Sequence, residues 1–195
     1  YEIYQCDWSS DVCSSDLFDQ EKQPDFFMDI IEEYYSIDPN VEFAVLSGGP
    51  LRSNDQKYID RARILEKTCN FKIYENLKKN EYYELLADSR ILFNCALQDW
   101  VSNTASEADA LGTNCLYPAY RSFPESFAND SECLYVPWSK EDALAKMNNL
   151  LYKERDNLGK LSAWTSHTID RCIDIIDRKS TRLNSSHTDI SRMPS

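Results

Sequence analysis

Two carboxylates, Asp99 and Glu107, stand eight residues apart, and the short polar residues Ser102, Asn103 and Thr104 lie between them. Serine, asparagine and threonine are favoured at helix starts, so a helix is predicted to begin here. The free N–H groups of a helix start bind phosphate. Glu107 falls just over one turn into this helix, where its carboxylate can accept hydrogen bonds from a ribose diol. A helix start of this composition can therefore bind a phosphate, with Glu107 as an acceptor for neighbouring hydroxyls.

The elements that must position these residues alternate along the chain. Apolar runs predict strands at 41–46, 71–74, 91–96, 115–117 and 133–136. Helical periodicity predicts helices from Pro24 onward and at 55–68, 79–87, 102–111, 140–152 and 157–175. Strands that alternate with helices imply right-handed crossovers and a mainly parallel sheet. The predicted fold class is therefore α/β, a Rossmann-like and mainly parallel sheet with helices on both faces.

Ligands of such sheets bind at the carboxyl ends of the strands, and three further segments fall there. Lys22 precedes the first predicted helix, Gly48 and Gly49 follow the strand at 41–46, and Asn76 and Leu77 follow the strand at 71–74. None of these three segments is specific for a ligand site when it is taken alone. A lysine before a helix is usually solvated, and a glycine after a strand is usually part of a turn.

The segment 99–112, DWVSNTASEADALG, resembles the E-x7-E motif of GT-B glycosyltransferases, especially the GT4-like families, where it commonly reads E-G-F-G-x-x-x-x-E-A-x-A-x-G. The matching positions are Glu107, Ala108, Ala110 and Gly112. Asp99 stands where the first glutamate usually does, while Trp100 and Ser102 replace the usual glycines. The resemblance implies the C-terminal, donor-binding half of a GT-B fold.

The same resemblance implies roles for individual residues. Glu107 would fix the ribose and Asp99 would orient the sugar, so these two are the implied catalytic residues. Lys22 matches a lysine on the donor diphosphate. The implied donor-binding residues are Lys22, Gly48, Gly49, Asn76, Leu77, Ser102, Asn103, Thr104 and Glu107. The implied reaction retains the anomeric configuration and needs no metal or other cofactor, because protein cations stabilise the leaving nucleotide.

Composition narrows the class of protein. The chain has 33 acidic and 21 basic residues, a net charge of −12, which argues against binding to a nucleic-acid backbone. No apolar run approaches the length of a membrane span, and we expect a cytoplasmic protein. The seven cysteines lack C-x-x-C spacing, and Cys95, Cys115 and Cys133 lie in apolar runs, so neither a zinc site nor a disulfide framework is predicted.

Both ends of the chain resemble translated sequencing-library adapter. Written as codons, residues 7–17 (DWSSDVCSSDL) and 177–187 (DRKSTRLNSSH) correspond to opposite strands of one adapter. We therefore expect residues 1–17 and 177–195 to be non-natural tails around one truncated nucleotide-sugar-binding domain at 18–176. The first strand of that domain would precede it and is predicted to be missing.

Three functions follow from these observations. The first is a hexosyltransferase-type glycosyltransferase whose partners are a nucleoside-diphosphate sugar and its own missing N-terminal acceptor domain, so that the fragment alone is inactive. The second is a GT-B nucleotide-sugar epimerase, which the presence of only two histidines disfavours. The third is a non-catalytic Rossmann or flavodoxin-like binding domain, although no G-x-G-x-x-G turn is present.

Overall fold

Six parallel strands form a single sheet in the computed structural model, which describes residues 20–97 and 102–153 and the backbone of residues 2–6. The strands are β1 (Glu2–Cys6), β2 (Glu42–Leu46), β3 (Phe71–Tyr74), β4 (Ile91–Phe93), β5 (Asn114–Pro118) and β6 (Leu134–Tyr135). The helices are α1 (Pro24–Ile37), α2 (Gln56–Thr68), α3 (Lys79–Asp88), α4 (Asn103–Leu111), α5 (Phe123–Ser126) and α6 (Lys140–Leu151), with a 3-10 helix at Gln20–Lys22. The predicted α/β class is confirmed.

The strand order β3-β2-β1-β4-β5-β6 reverses at the centre of the sheet. From β1 the chain builds outward through β2 and β3, and then returns to place β4 on the other side of β1. Ile3 pairs with Phe43 of β2 on one side and with Ile91 of β4 on the other. The carboxyl ends of β1 and β4 therefore define the topological switch point, where sheets of this type bind their ligands.

Helices cover both faces of the sheet because successive strand residues point to opposite sides. In β2, Phe43 and Val45 face one apolar cluster while Ala44 and Leu46 face the other. The first cluster is completed by helices α1, α2 and α6. The second is completed by α3, α4 and α5. Burial on both faces explains why the strands read as continuous apolar runs.

Helix α1 shows how the sequence specifies one of these layers. Pro24 occupies its first turn, where the missing N–H costs nothing and the fixed φ suits a helix. Phe27, Ile30, Ile31 and Tyr34 then recur at three- and four-residue spacing and are at most 1% exposed. Phe27 is buried against Phe71 and Phe93, so Phe27→Ala should lower the free energy of unfolding by about 3–5 kcal/mol.

The central strand corrects one expectation from the sequence. The first strand was predicted to be missing, yet Glu2–Cys6 pairs with all of β2 and with the start of β4. The gap between β2 and β4 presents unpaired backbone groups on both sides, and an extended segment there satisfies them. The prediction of a missing strand was therefore wrong. That residues 1–17 and 177–195 are non-natural remains a prediction.

Other expectations can be compared with the described residues. The predicted helix at 157–175 lies outside them, as do most of the two predicted tails. In the part that is described, Cys69, Cys95, Cys115 and Cys133 are free thiols. None of the described helices combines the length and the apolar character that crossing a membrane requires.

Candidate functional site

The loops that follow β1 and β4 are joined at the switch point. The backbone N–H of Leu97, beyond β4, donates to the carbonyl oxygen of Glu21 at 3.1 Å. Glu21 belongs to the 3-10 helix, which also contains Lys22, and Gln23 then turns the chain into α1 with a left-handed φ of 54°. Lys22 is half-buried. The structure thus places Lys22 at the edge where a ligand of this fold is expected.

The loop leaving β4 is fixed by a buried asparagine that sequence reasoning missed. Asn94 is 6% exposed, and its side-chain oxygen accepts the N–H of Ala96 at 2.7 Å. Its backbone carbonyl accepts the hydroxyl of Tyr135 at 3.1 Å, and its N–H donates to the carbonyl of Leu116 at 2.9 Å. The loop that leads toward Asp99 therefore starts from a rigid base. Asp99 itself lies outside the described residues.

The start of α4 is capped as the sequence predicts. Ser102 Oγ accepts the N–H of Ala105 at 3.3 Å and lies 2.9 Å from the hydroxyl of Tyr117. Its hydroxyl is therefore engaged within the protein. Asn103 is exposed, whereas Thr104 is only 5% exposed, so Thr104 can serve a ligand chiefly through its backbone. At its other end, α4 stops at Gly112, whose φ of 76° favours glycine.

The carboxylate of Glu107 is held by three donors from helix α3. Its Oε1 accepts the ammonium of Lys79 at 2.9 Å and the hydroxyl of Tyr83 at 3.0 Å, and its Oε2 accepts the hydroxyl of Tyr82 at 2.9 Å. Burial lowers the pKa of Lys79, but its hydrogen bonds to Glu107 and Tyr83 outweigh this effect, so the pKa is raised and the amine stays charged. Neither these tyrosines nor Lys79 was predicted from the sequence to belong to the site. Residue spacing predicts which side chains are neighbours on one helix. It does not predict this cluster, because the cluster links residues of α3 to Glu107 of α4.

The loops after β2 and β3 are also joined to each other. Asn76 donates its N–H to the carbonyl of Gly49 at 3.2 Å, and Leu77 donates its N–H to the carbonyl of Ser47 at 3.0 Å. Asn76 has a left-handed φ of 57°, which turns the chain toward α3. Both N–H groups are therefore engaged within the protein.

The two glycines after β2, Gly48 and Gly49, differ from Gly112, whose positive φ favours glycine. A Cβ placed on Gly49 would meet no atom within 4 Å, and Gly48 is exposed. The positive-φ residues of the described part include Gly112 but neither of these two. Gly49 therefore leaves open space at the edge of the sheet that a side chain would fill.

A salt bridge behind this loop fixes its position. Arg63 of α2 donates to Glu75 at 2.6 Å, and the second oxygen of Glu75 accepts the N–H of Leu51, also at 2.6 Å. The hydrogen bond from Leu51 and then the contact with Arg63 lower the pKa of Glu75. The carboxylate thus holds the β2 loop against the end of β3. Local sequence patterns do not predict this pair, because its two residues lie on different elements.

A cavity of about 340 Å³ opens beside the 3-10 helix, at the start of α2. Glu21 and Asp55 line it, and the one cation in its wall, Lys57, is paired with Asp55 at 3.0 Å. This wall is poorly suited to a diphosphate. In the described part of the chain, no group of three histidine, cysteine or acidic side chains is placed to hold a metal ion.

Solved structures with the same architecture include glycosyltransferases. No protein-family model and no curated protein matches the chain. The catalytic domain of cholesterol-α-glucosyltransferase from Helicobacter pylori has 13% identity and a TM-score of 0.60, with 88% of this chain and 98% of that chain covered. A UDP-forming α,α-trehalose-phosphate synthase from Burkholderia vietnamiensis has 14% identity and a TM-score of 0.63 over 92% of this chain and 43% of its own. TarM of S. aureus, in a complex that contains UDP, has 14% identity and a TM-score of 0.62 over 87% and 32%.

These similarities define the fold of the chain as that of one Rossmann-like domain of the GT-B type. The chain spans less than half the length of the synthase and of TarM. Most sequence-predicted site residues follow strands that end at one edge of the sheet. They are Lys22, Gly48, Gly49, Asn76, Leu77, Ser102, Asn103 and Thr104. Glu107 lies one turn deeper and is bound to α3.

Proposed function

We propose that this domain binds a nucleoside-diphosphate sugar and forms the donor-binding half of a retaining glycosyltransferase. The observation that carries the proposal is the meeting of the Lys22 segment and the β4–α4 loop at the topological switch point. A half-buried cation and a helix start at the same edge of the sheet suit a diphosphate, since both interact favourably with anionic oxygens.

Within this proposal each segment has a separate task. Lys22 and the N–H groups at the start of α4 stabilise the charge that develops on the departing diphosphate. Asp99 orients the sugar, and Glu107 binds the ribose. Asn76 and Leu77 follow the end of β3, where the base of the nucleotide is proposed to bind. No metal is required, because these groups supply the positive charge.

The acceptor is assigned to a second domain. A glycosyltransferase of this type needs acceptor-binding groups opposite the donor, and we propose that an N-terminal domain of the same enzyme supplies them. The 195-residue chain is therefore expected to bind donor without transferring sugar. Two of the similar solved structures are UDP-forming or hold UDP, which makes uridine nucleotides the first donors to test.

The proposal is tested by adding UDP-, GDP- and ADP-sugars to the 195-residue chain and measuring thermal shift and binding heat. We expect one nucleotide class to raise the melting temperature of the wild type, and Lys22→Met to reduce that shift. Lys67→Met is the matched control, because Lys67 lies exposed in the last turn of α2, at the opposite edge of the sheet. A folded chain that no sugar nucleotide stabilises would overturn the proposal.

A further inference from the structure

We propose that helix α3 supplies part of the ribose subsite, with Lys79 and Tyr83 holding Glu107 and setting a preference for ribonucleotides over 2′-deoxyribonucleotides. This inference rests on the proposed function, since it concerns the same donor site. It arises from an unexpected feature, namely that the carboxylate assigned to the ribose is already bonded to three groups of a neighbouring helix.

The first step concerns the capacity of the carboxylate. An ionised carboxylate has about four acceptor positions, and Lys79, Tyr82 and Tyr83 occupy three of those on Glu107. A ribose diol that bound through two donated hydrogen bonds would have to displace one of them. A ribose hydroxyl that donates once to Glu107 needs no displacement, and its oxygen can accept a further N–H of the Lys79 ammonium that holds the carboxylate.

The second step concerns access. Tyr82 is fully buried, so its hydroxyl supports Glu107 from the protein interior. The side chains of Lys79 and Glu107 are 38% and 20% exposed, and Tyr83 is partly exposed. The ammonium of Lys79 lies 5.0 Å from the centre of the Tyr83 ring, so the two side chains form one surface beside the carboxylate. Lys79 and Tyr83 are thus the members of the cluster that a ligand can reach.

The third step concerns position along the chain. Lys79 is the first residue of α3 and comes two residues after Leu77, where the base contact is predicted. Its side chain spans from that strand end to Glu107 in α4. In a nucleoside the base is bonded directly to the ribose, so the protein segments that bind them must be adjacent. Lys79 connects the two proposed segments, because it follows Leu77 closely in the chain and its ammonium contacts Glu107. The contact with the cation also orients the Glu107 carboxylate when no ligand is bound.

The test compares the dissociation constants of UDP and 2′-deoxy-UDP for the 195-residue chain, with GDP and 2′-deoxy-GDP used in the same way. We expect the wild type to bind the ribonucleotide about tenfold more tightly, the usual effect of one hydrogen bond to a charged group. Lys79→Met and Tyr83→Phe should each bring the ratio toward one. Tyr83→Phe removes a single hydroxyl, so it preserves the fold if the lysine variant does not.

Matched controls are available for both changes. Lys78→Met removes the neighbouring exposed lysine, and Tyr35→Phe removes a hydroxyl on α1, across the sheet; both should keep the wild-type ratio. If nucleotides bind and the ratio is the same in Lys79→Met and Tyr83→Phe, the cluster only joins α3 to α4 and the inference is wrong while the proposed function stands. If no nucleotide binds the folded wild type, the proposed function fails and this inference fails with it.

Discussion

The guanidinium of Arg63 lies 2.6 Å from the carboxylate of Glu75, whose other oxygen accepts the N–H of Leu51 at the same distance. One side chain therefore joins helix α2, the loop after β2 and the end of β3. These are the elements that place Gly48, Gly49 and the segment before α3 at the edge of the sheet. The stability of this edge depends on the charge of Glu75.

The first prediction concerns acid stability. Because the folded pKa of Glu75 is lowered, its contribution is fully present above the unfolded glutamate pKa of about 4.3 and is lost as the pH falls through the folded value. Glu75→Gln should lower the free energy of unfolding at pH 7 by about 1 kcal/mol, since the pair is partly solvated. The difference from wild type should shrink below pH 4.

Urea denaturation at a series of pH values measures this effect. Glu84→Gln, an exposed change on α3, is the control and should leave the profile unaltered. A difference between Glu75→Gln and wild type that stays constant from pH 7 to pH 3 would contradict the prediction.

The second prediction separates the two kinds of glycine. Gly112→Ala should destabilise the fold by about 1 kcal/mol, because alanine is strained at a φ of 76°. Gly49→Ala should leave the melting temperature unchanged or slightly higher, since nothing lies within 4 Å of the added Cβ. If a nucleotide occupies this space, Gly49→Ala should weaken its binding without a loss of stability. Equal affinity in wild type and Gly49→Ala would place the ligand elsewhere.

A third prediction assigns Lys22 to phosphate rather than to nucleoside. Lys22→Met should lower the affinity for UDP about tenfold, which is the usual effect of losing one charge-assisted hydrogen bond. Uridine should bind the wild type and the variant with equal affinity. Isothermal titration at two salt concentrations checks this, because the loss of a cation also reduces the salt dependence of binding. A uridine affinity that falls as much as the UDP affinity would point to damage to the fold instead.

The fourth prediction concerns thiol reactivity. Burial raises the pKa of Cys95 and Cys115, which keeps both thiols neutral and shielded. Cys69 is partly exposed at the end of α2. Iodoacetamide at pH 8, followed by peptide mass spectrometry, should modify Cys69 before Cys95 and Cys115, which should stay unmodified until urea is added. Rapid native modification of Cys95 or Cys115 would show that the core opens readily.

A fifth prediction tests the central strand. Removal of residues 1–6 leaves β2 and β4 without the strand that pairs with both, so the truncated chain should lose its cooperative thermal transition. Circular dichroism of the truncated and full chains measures this. Cooperative unfolding of the truncated chain, at the melting temperature of the full one, would show that this strand adds nothing to stability.

The strand and helix order could be predicted because each element carries its own local signal. Ser102 marks the start of α4, Gly112 marks its end, and Pro24 opens α1. The location of Lys22 at the carboxyl edge of the sheet could also be predicted from the sequence, because all strands of a parallel sheet end at the same edge. Strand ends were less accurate: 91–96 was predicted as a strand, whereas β4 stops at Phe93 and the loop beyond it is equally buried.

Contacts between different helices and strands could not be predicted from local sequence patterns. The bond between Lys79 and Glu107 depends on how α3 and α4 pack against the same face of the sheet. The pair Arg63 and Glu75 depends in the same way on α2 and β3. The place of β1 could not be predicted, because residues 1–17 together are predicted to be a non-natural tail, whereas the backbone of β1 meets the hydrogen-bonding needs of two strands.

The position of β1 between β2 and β4 also constrains the order of folding. The pairing of β1 with β2 requires one crossover, but its pairing with β4 requires three helices and two strands to be arranged first. Closing so long a loop is entropically costly, so the two halves of the sheet join late and slowly. Until then β1 presents an open edge to other chains, which makes the half-formed sheet the species most prone to aggregate.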